Sequence, residues 1–70
     1  MSTWSSTKAR RVYAALVGLG WTLEEQIGSH RKLQKPGWRD FTFCFHDNEE
    51  AGPAALAKIA KDTGLRPEDL

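Results

Sequence analysis

The sequence predicts an α+β fold in the order α-β-β-β-α, a three-stranded antiparallel sheet with two helices on one face. Three observations carry it. An apolar stripe at helical spacing precedes Gly20, two turn segments separate three alternating stretches, and a second helical stripe lies between Pro53 and Gly64. Seventy residues suit one domain, 1–70, near the lower size limit for a self-sufficient core. Cys44 is the only cysteine, so no intramolecular disulfide staples the chain, and a chain this small gains from a bound partner. A lone cysteine reads as cytosolic, and no apolar run approaches the ~18 residues of a membrane span. The first residues, Met1 to Thr7, are polar rather than signal-like. A cytoplasmic location with no membrane role is therefore expected.

The first helix is expected from Lys8 to Leu19. Ser6 or Thr7 is placed to cap it, and Gly20 suits the left-handed position that ends helices. Ala9, Val12, Leu16 and Leu19, with Tyr13 beside them, make its apolar stripe. The second helix begins at Gly52-Pro53, with proline pre-set for the first helical position. Leu56, Ile59 and Ala60 form its stripe, Gly64 ends it, and Leu65 follows as the residue that packs back on the last turn. Pro67 opens a short tail or final turn.

Between the helices, Pro36-Gly37-Trp38-Arg39-Asp40 has strong turn chemistry, and closing it pairs Lys35 with Phe41. Leu33 then faces Phe43, Lys32 faces Cys44, and His30 faces His46. One sheet face receives Leu33, Phe41, Phe43 and Phe45; the other receives His30, Lys32, Gln34, Thr42, Cys44 and His46. For the first hairpin, a three-residue loop, Gln26-Ile27-Gly28, places Trp21 opposite Leu33 and Leu23 opposite Arg31. Glu24 then lies opposite His30 and Thr22 opposite Lys32.

Net charge is +1, so bulk charge does not announce a nucleic-acid partner. Its distribution says more. Lys8, Arg10, Arg11, Arg31, Lys32 and Lys35 face only Glu24 and Glu25 in the first half, while Asp47, Glu49, Glu50, Glu68 and Asp69 follow. Cations in the first turns of a helix oppose its dipole by a few tenths of a kcal/mol, a placement better suited to a phosphate than to stability. A solvated surface is the other reading.

The tripeptide Gly28-Ser29-His30 puts an imidazole where a turn becomes a strand. An imidazole moves protons near neutral pH and contributes typically 10²–10⁴-fold to catalysis. A neighbouring carboxylate, Glu24, would fix the ring, and Lys32 would neutralise a phosphate oxygen. With His46 opposite, these residues suit metal-free phosphodiester cleavage. Structural alternatives stand beside each: a solvated His30, a loop-capping His46, and Glu24 as a strand-face charge. Cys44, His46 and His30 offer zinc ligands from one face, although their spacing matches no finger pattern. Trp38 would either stack on a base or cover the core edge. There is no phosphate-binding glycine loop and no hydrolase nucleophile elbow.

The run LGWTLEEQIGSHRKLQKPGWRDFTFCFHD, followed by GPAALAKIAKDTGL, resembles the HicA toxins, the YcfA-like proteins of bacterial and archaeal toxin–antitoxin pairs. The specific parts are Gly20-Trp21, Gly28-Ser29-His30, His46 at the end of the third strand, and Gly-Pro-x-x-Leu-x-x-Ile before Gly64-Leu65. The resemblance extends from Lys8 to Leu70. It implies a double-stranded-RNA-binding-like fold and a type II toxin that cleaves mRNA, inhibits translation and growth, and belongs to stress response. The histidine of Gly-Ser-His is catalytic in that family, which carries over to His30; Glu24, His46 and Lys32 are candidates to support it. Ser29, Arg31, Lys32, Lys35, Lys8 and Arg11 are the expected RNA contacts. No cofactor and no metal are expected. The expected partner is a HicB-like antitoxin, with a free monomer becoming a hetero-oligomer. Two positions depart from the pattern: Cys44 stands where proline is common, and Lys32 where an apolar or aromatic residue is common. A non-catalytic RNA-binding module is the alternative function.

Overall fold

Apolar spacing translates into elements in the expected order. They are β1 (Thr7–Lys8), α1 (Ala9–Gly18), β2 (Thr22–Ile27), β3 (His30–Gln34), β4 (Phe41–Phe43), β5 (Glu50–Ala51), α2 (Pro53–Thr63) and a 3₁₀ turn, Pro67–Asp69. The structure, a computed structural model, describes residues 3–70; Met1 and Ser2, the start of the polar lead, lie outside the described residues. Strands β2, β3 and β4 form an antiparallel sheet in that order, and β1 pairs with β5 in a separate two-stranded ribbon. Val12 and Leu16 of α1, Leu56 and Ile59 of α2, and Leu33 and Phe43 of the sheet share one buried core. Both helices therefore cover the aromatic face, because that is where each buries its stripe.

Helix α1 starts differently from expectation. Neither Ser6 nor Thr7 caps it; Lys8 occupies the N-cap position in an extended conformation with no side-chain cap. The open amides are instead closed by a distant loop. The Ala9 N–H donates to the Glu49 carbonyl at 2.7 Å and the Arg10 N–H to the Asp47 carbonyl at 3.3 Å. The β1–β5 ribbon holds that loop beside the helix start. Two-residue strands carry no periodicity, which is why the ribbon has no sequence signal.

The other end of α1 follows the sequence. Gly20 has φ 103, and its N–H donates to the Val17 carbonyl while the Trp21 N–H donates to the Leu16 carbonyl. These paired bonds form a Schellman ending, with Trp21 packing back on Leu16. Trp21 is fully buried, and its indole N–H donates to the Thr63 carbonyl at 3.3 Å, joining the end of α1 to the end of α2. That bond satisfies one of the carbonyls a helix end leaves open.

Both hairpins depart from the expected register. The first closes with two residues, Gly28-Ser29, since Ile27 pairs with His30. Gly28 has φ 60 and no described non-glycine residue has positive φ, so this is a type II′ turn. A bulge at Glu24 lies between Leu23 and Glu25, and beyond it Leu23, not the expected Trp21, stands opposite Leu33 and Thr22 opposite Gln34, two residues from expectation. In the second hairpin Leu33 pairs with Phe41 and Arg31 with Phe43, two residues away from expectation. The turn closes early: the Trp38 N–H donates to the Lys35 carbonyl at 3.0 Å, with Pro36 and Gly37, φ 83, in the central positions of a type II turn. Arg39 and Asp40 remain as added loop. A two-residue slip preserves alternation, so Leu33 and Phe43 are still buried and Thr42 still faces outward.

Helix α2 runs as expected from Pro53 at N1 to a left-handed Gly64, φ 77. Thr63 joins Leu56 and Ile59 on its buried side, with its hydroxyl donating to the Ile59 carbonyl at 2.7 Å. A Cβ built at Gly64 would sit 2.9 Å from the Trp38 ring, whereas one at Gly28 would meet nothing within 4 Å. Gly64→Ala should therefore cost about 1–3 kcal/mol in urea unfolding, and Gly28→Ala about 1 kcal/mol from left-handed strain alone. Equal losses in the two variants would show that the Trp38 contact does not constrain Gly64.

Candidate active site on the outer sheet face

Strand β3 divides its side chains between two surfaces. Leu33 and Arg31 turn toward the helices, while His30, Lys32 and Gln34 turn outward. His30 opens the strand directly after the type II′ turn and is exposed. Its imidazole makes no hydrogen bond and no ion pair among the described residues. A ring so placed can exchange a proton with a bound molecule without first breaking an internal contact.

Lys32, two residues along on the same face, is half-exposed and lies between two carboxylates. Its Nζ is 3.7 Å from Glu24 Oε2 and 3.6 Å from Asp40 Oδ2. Thr42 lies directly across from it on β4. Glu24 thus serves Lys32 and is not opposite His30, because the bulge removes it from the pairing; Ile27 holds that place. In the sequence Asp40 is a turn residue. The two-residue slip brings it to Lys32, and turn composition contains no signal of that reach.

His46 is not opposite His30. Strand β4 ends at Phe43, and the slipped register would continue from His30 to Cys44. His46 lies in the following loop, where its backbone N–H donates to Glu49 Oε1 at 2.7 Å. Among the described residues no three His, Cys, Asp or Glu side chains come together as a metal-binding group. Cys44 is exposed.

The expected RNA contacts are dispersed. Arg31 lies on the inner face, its side chain 15% exposed, with Nη2 2.8 Å from Asp47 Oδ1. Its guanidinium carbon is 4.5 Å from the centroid of Tyr13, and Nη1 is buried with no hydrogen-bond acceptor. The guanidinium as a whole is held by its cation–π contact with Tyr13. Arg31 is thus a brace between β3, α1 and the loop after β4. Lys8 Nζ donates to the Asn48 carbonyl at 3.3 Å. Arg11 lines a depression of about 490 Å³ between Trp4 and Leu70. Lys35 lies over Trp38, its Nζ 5.4 Å from the ring centroid. Ser29 sits half-buried in the turn beside His30. His30, Lys32 and Glu24 therefore share the outer side of the first hairpin, with Ser29 in its turn, and the remaining candidates do not join them.

The family model described as HicA toxin of bacterial toxin-antitoxin matches residues 9–65. The chain belongs to the HicA toxin family. No curated protein matches it. The match spans both helices and the three-stranded sheet, and so includes Glu24, Ser29, His30, Lys32 and His46 of this HicA chain; Lys8 and the final 3₁₀ turn fall outside it. As a HicA-family toxin it is one half of a toxin–antitoxin system, whose other half is an antitoxin.

The brace beside the site is testable through stability. Asp47→Asn leaves the largely buried Arg31 guanidinium without its anion, which should cost about 1–3 kcal/mol. A fully exposed pair would give only about 0.2–1 kcal/mol. The check is a double-mutant cycle with Arg31→Met in urea unfolding. A coupling energy near zero would reduce the pair to a surface contact.

Proposed function

We propose that this HicA-family toxin is an endoribonuclease that cleaves mRNA without a metal, with His30 as general acid or base. The observation that carries the reading is the unengaged imidazole of His30 on the open sheet face, with the Lys32 ammonium two residues along it. Family membership supports the same assignment, since the matched residues include the Gly28-Ser29-His30 turn.

The chemistry follows from RNA itself. The ribose 2′-oxygen attacks the adjacent phosphorus, so an O2′–P bond forms as the P–O5′ bond breaks. The products are a 2′,3′-cyclic phosphate and a 5′-hydroxyl end. One proton leaves the 2′-oxygen and one is delivered to the 5′-oxygen; His30 carries one of these transfers and water completes the other. Lys32 offsets the charge that builds on the phosphoryl oxygens. Ser29, beside His30, contacts the RNA backbone near the reacting phosphate, and Lys35, past the end of β3 beside Trp38, contacts it farther along. Arg31 contributes by holding β3 in place. Glu24 and Asp40 hold Lys32 over the sheet.

The antitoxin is proposed to be HicB-like and to restrain the toxin by covering this face, with the complex formed in the cytoplasm. Inhibition of translation and growth then follows from loss of mRNA.

His30→Ala should lower cleavage of a single-stranded RNA by about 10²–10⁴-fold and leave the circular dichroism spectrum unchanged. In cells it should abolish growth arrest on induction. Cleavage at the unmodified rate by His30→Ala would overturn the assignment. Binding of RNA with no cleavage by the unmodified chain would instead favour a non-catalytic RNA-binding module.

A further inference from the structure

The end of the sheet away from His30 carries a second surface that the active-site reading does not use. Trp38 follows the Pro36-Gly37 turn and is 44% exposed. One edge of its ring rests against Gly64 at the end of α2, and it meets Trp21 edge-on at a centroid distance of 6.0 Å. These contacts explain why an aromatic residue stands there. They do not explain what surrounds the rest of the ring.

Trp38 borders two open depressions. Lys35 lines the first and lies over the indole, its Nζ 5.4 Å from the ring centroid, a weak contact at an exposed site that a stacking base displaces. The second, of about 590 Å³, is lined by Arg39, Lys58 and Lys61. Lys58 and Lys61 are three residues apart on α2 and so share a face. None of these three side chains makes an ion pair or a hydrogen bond among the described residues. Asp62 also lines the depression, leaving positive charge in excess; Asp40, at its rim, is engaged by Lys32. An exposed indole among unpaired cations matches the chemistry of a nucleic-acid strand, with a base on the ring and phosphates on the cations. An unpaired base has its faces free to stack, whereas a duplex hides them, so the complement is a single strand.

We infer that the Trp38 groove is a subsite for single-stranded RNA, stacking one base on Trp38 and taking the flanking phosphates on Arg39, Lys58 and Lys61. This rests on the ribonuclease reading and extends it to the substrate class. Strand β3 spans roughly 13 Å from His30 to Gln34, with Lys32 on its outer face, and the groove lies past the Gln34 end. On this inference a strand held at Trp38 continues round that end of the sheet onto the outer face of β3.

The test uses the full chain carrying His30→Ala and a fluorescein-labelled single-stranded RNA. Binding is read by anisotropy at several salt concentrations, and a gel of the same mixtures reports any cleavage separately. Lys58→Gln with Lys61→Gln should weaken binding about tenfold or more. The two changes should also reduce the slope of log affinity against log salt by about 1.4, at ~0.7 per phosphate contact on a single strand. Trp38→Leu, which keeps apolar cover over Trp21, should weaken binding about tenfold and remove the quenching of tryptophan fluorescence by RNA. If Trp38→Leu loses its circular dichroism spectrum, the lysine pair alone decides. Unchanged affinity and slope in the lysine pair would overturn the subsite. So would tighter binding of a duplex than of the single strand, or protection of Trp38 from acrylamide by the antitoxin and not by RNA. Cleavage that proceeds at the same rate when these substitutions are made in the chain that retains His30 would overturn the subsite alone. Groove-dependent binding with no cleavage by the unmodified chain would overturn the nuclease reading alone.

Discussion

The uncapped start of helix α1 is the constraint on which the rest of this structure depends. Its first amides would be left open, at about 1–3 kcal/mol for each buried unmade bond, and they are closed by the Glu49 and Asp47 carbonyls from far along the chain. The closure brings an acidic segment to the positive end of the helix dipole, where negative charge is favourable. It also places Lys8 beside the Asn48 carbonyl. Cations in the first turn, which look misplaced in an isolated helix, are thus offset by the acidic loop docked beside them. The β1–β5 ribbon is the backbone consequence of the same docking.

The docked loop in turn reaches the strand that carries His30. Asp47 contributes a carbonyl to α1 and a carboxylate to Arg31, and Arg31 lies over Tyr13 of the same helix. Neighbouring residues on β3 therefore have opposite duties. Arg31 and Leu33 fix the strand from beneath, and His30 and Lys32 are presented above it. Positioning from the far side leaves the imidazole without structural bonds among the described residues, which on the ribonuclease reading suits proton transfer to a bound molecule.

Which residues face the core was legible in the sequence; which residues stand opposite one another was not. Alternation has a period of two, so the two-residue slip of the second hairpin leaves Leu33, Phe41 and Phe43 on the helical side. In the first hairpin a two-residue turn with a bulge at Glu24 sets Leu23 opposite Leu33, two residues from the long-turn register that sets Trp21 there, and the alternation of Trp21 and Leu23 survives this shift as well. Composition does not separate these solutions, because Gly28 serves both. Helix ends made by glycine, at Gly20 and Gly64, were readable from one residue each. The start of α1 was not, since its partners are backbone carbonyls some forty positions away, and carbonyls have no sequence signature. The same reason separates the site residues. His30 and Lys32 follow from strand alternation alone, whereas the expected pairing of His30 with Glu24 and His46 depended on register.

Charge around Lys32 bears on how RNA reaches the proposed site. One ammonium stands between two carboxylates, Glu24 and Asp40, so the group as a whole is negative and does not by itself draw in a polyanion. Each contact is partly exposed and weak, in the range of about 0–1 kcal/mol, so an arriving phosphate can displace it at small cost. Until then the carboxylates keep the ammonium over the sheet rather than extended into solvent. Attraction at a distance has to come from cations without internal partners. Arg31 is spent on Asp47 and Lys8 on a loop carbonyl. Among the described residues Arg39, Lys58 and Lys61 have no such partners. On the ribonuclease reading, the labour divides along β3: the Trp38 end supplies the field and grip, and the His30 end supplies proton transfer, with Lys32 released to the phosphate only when the strand lies across both.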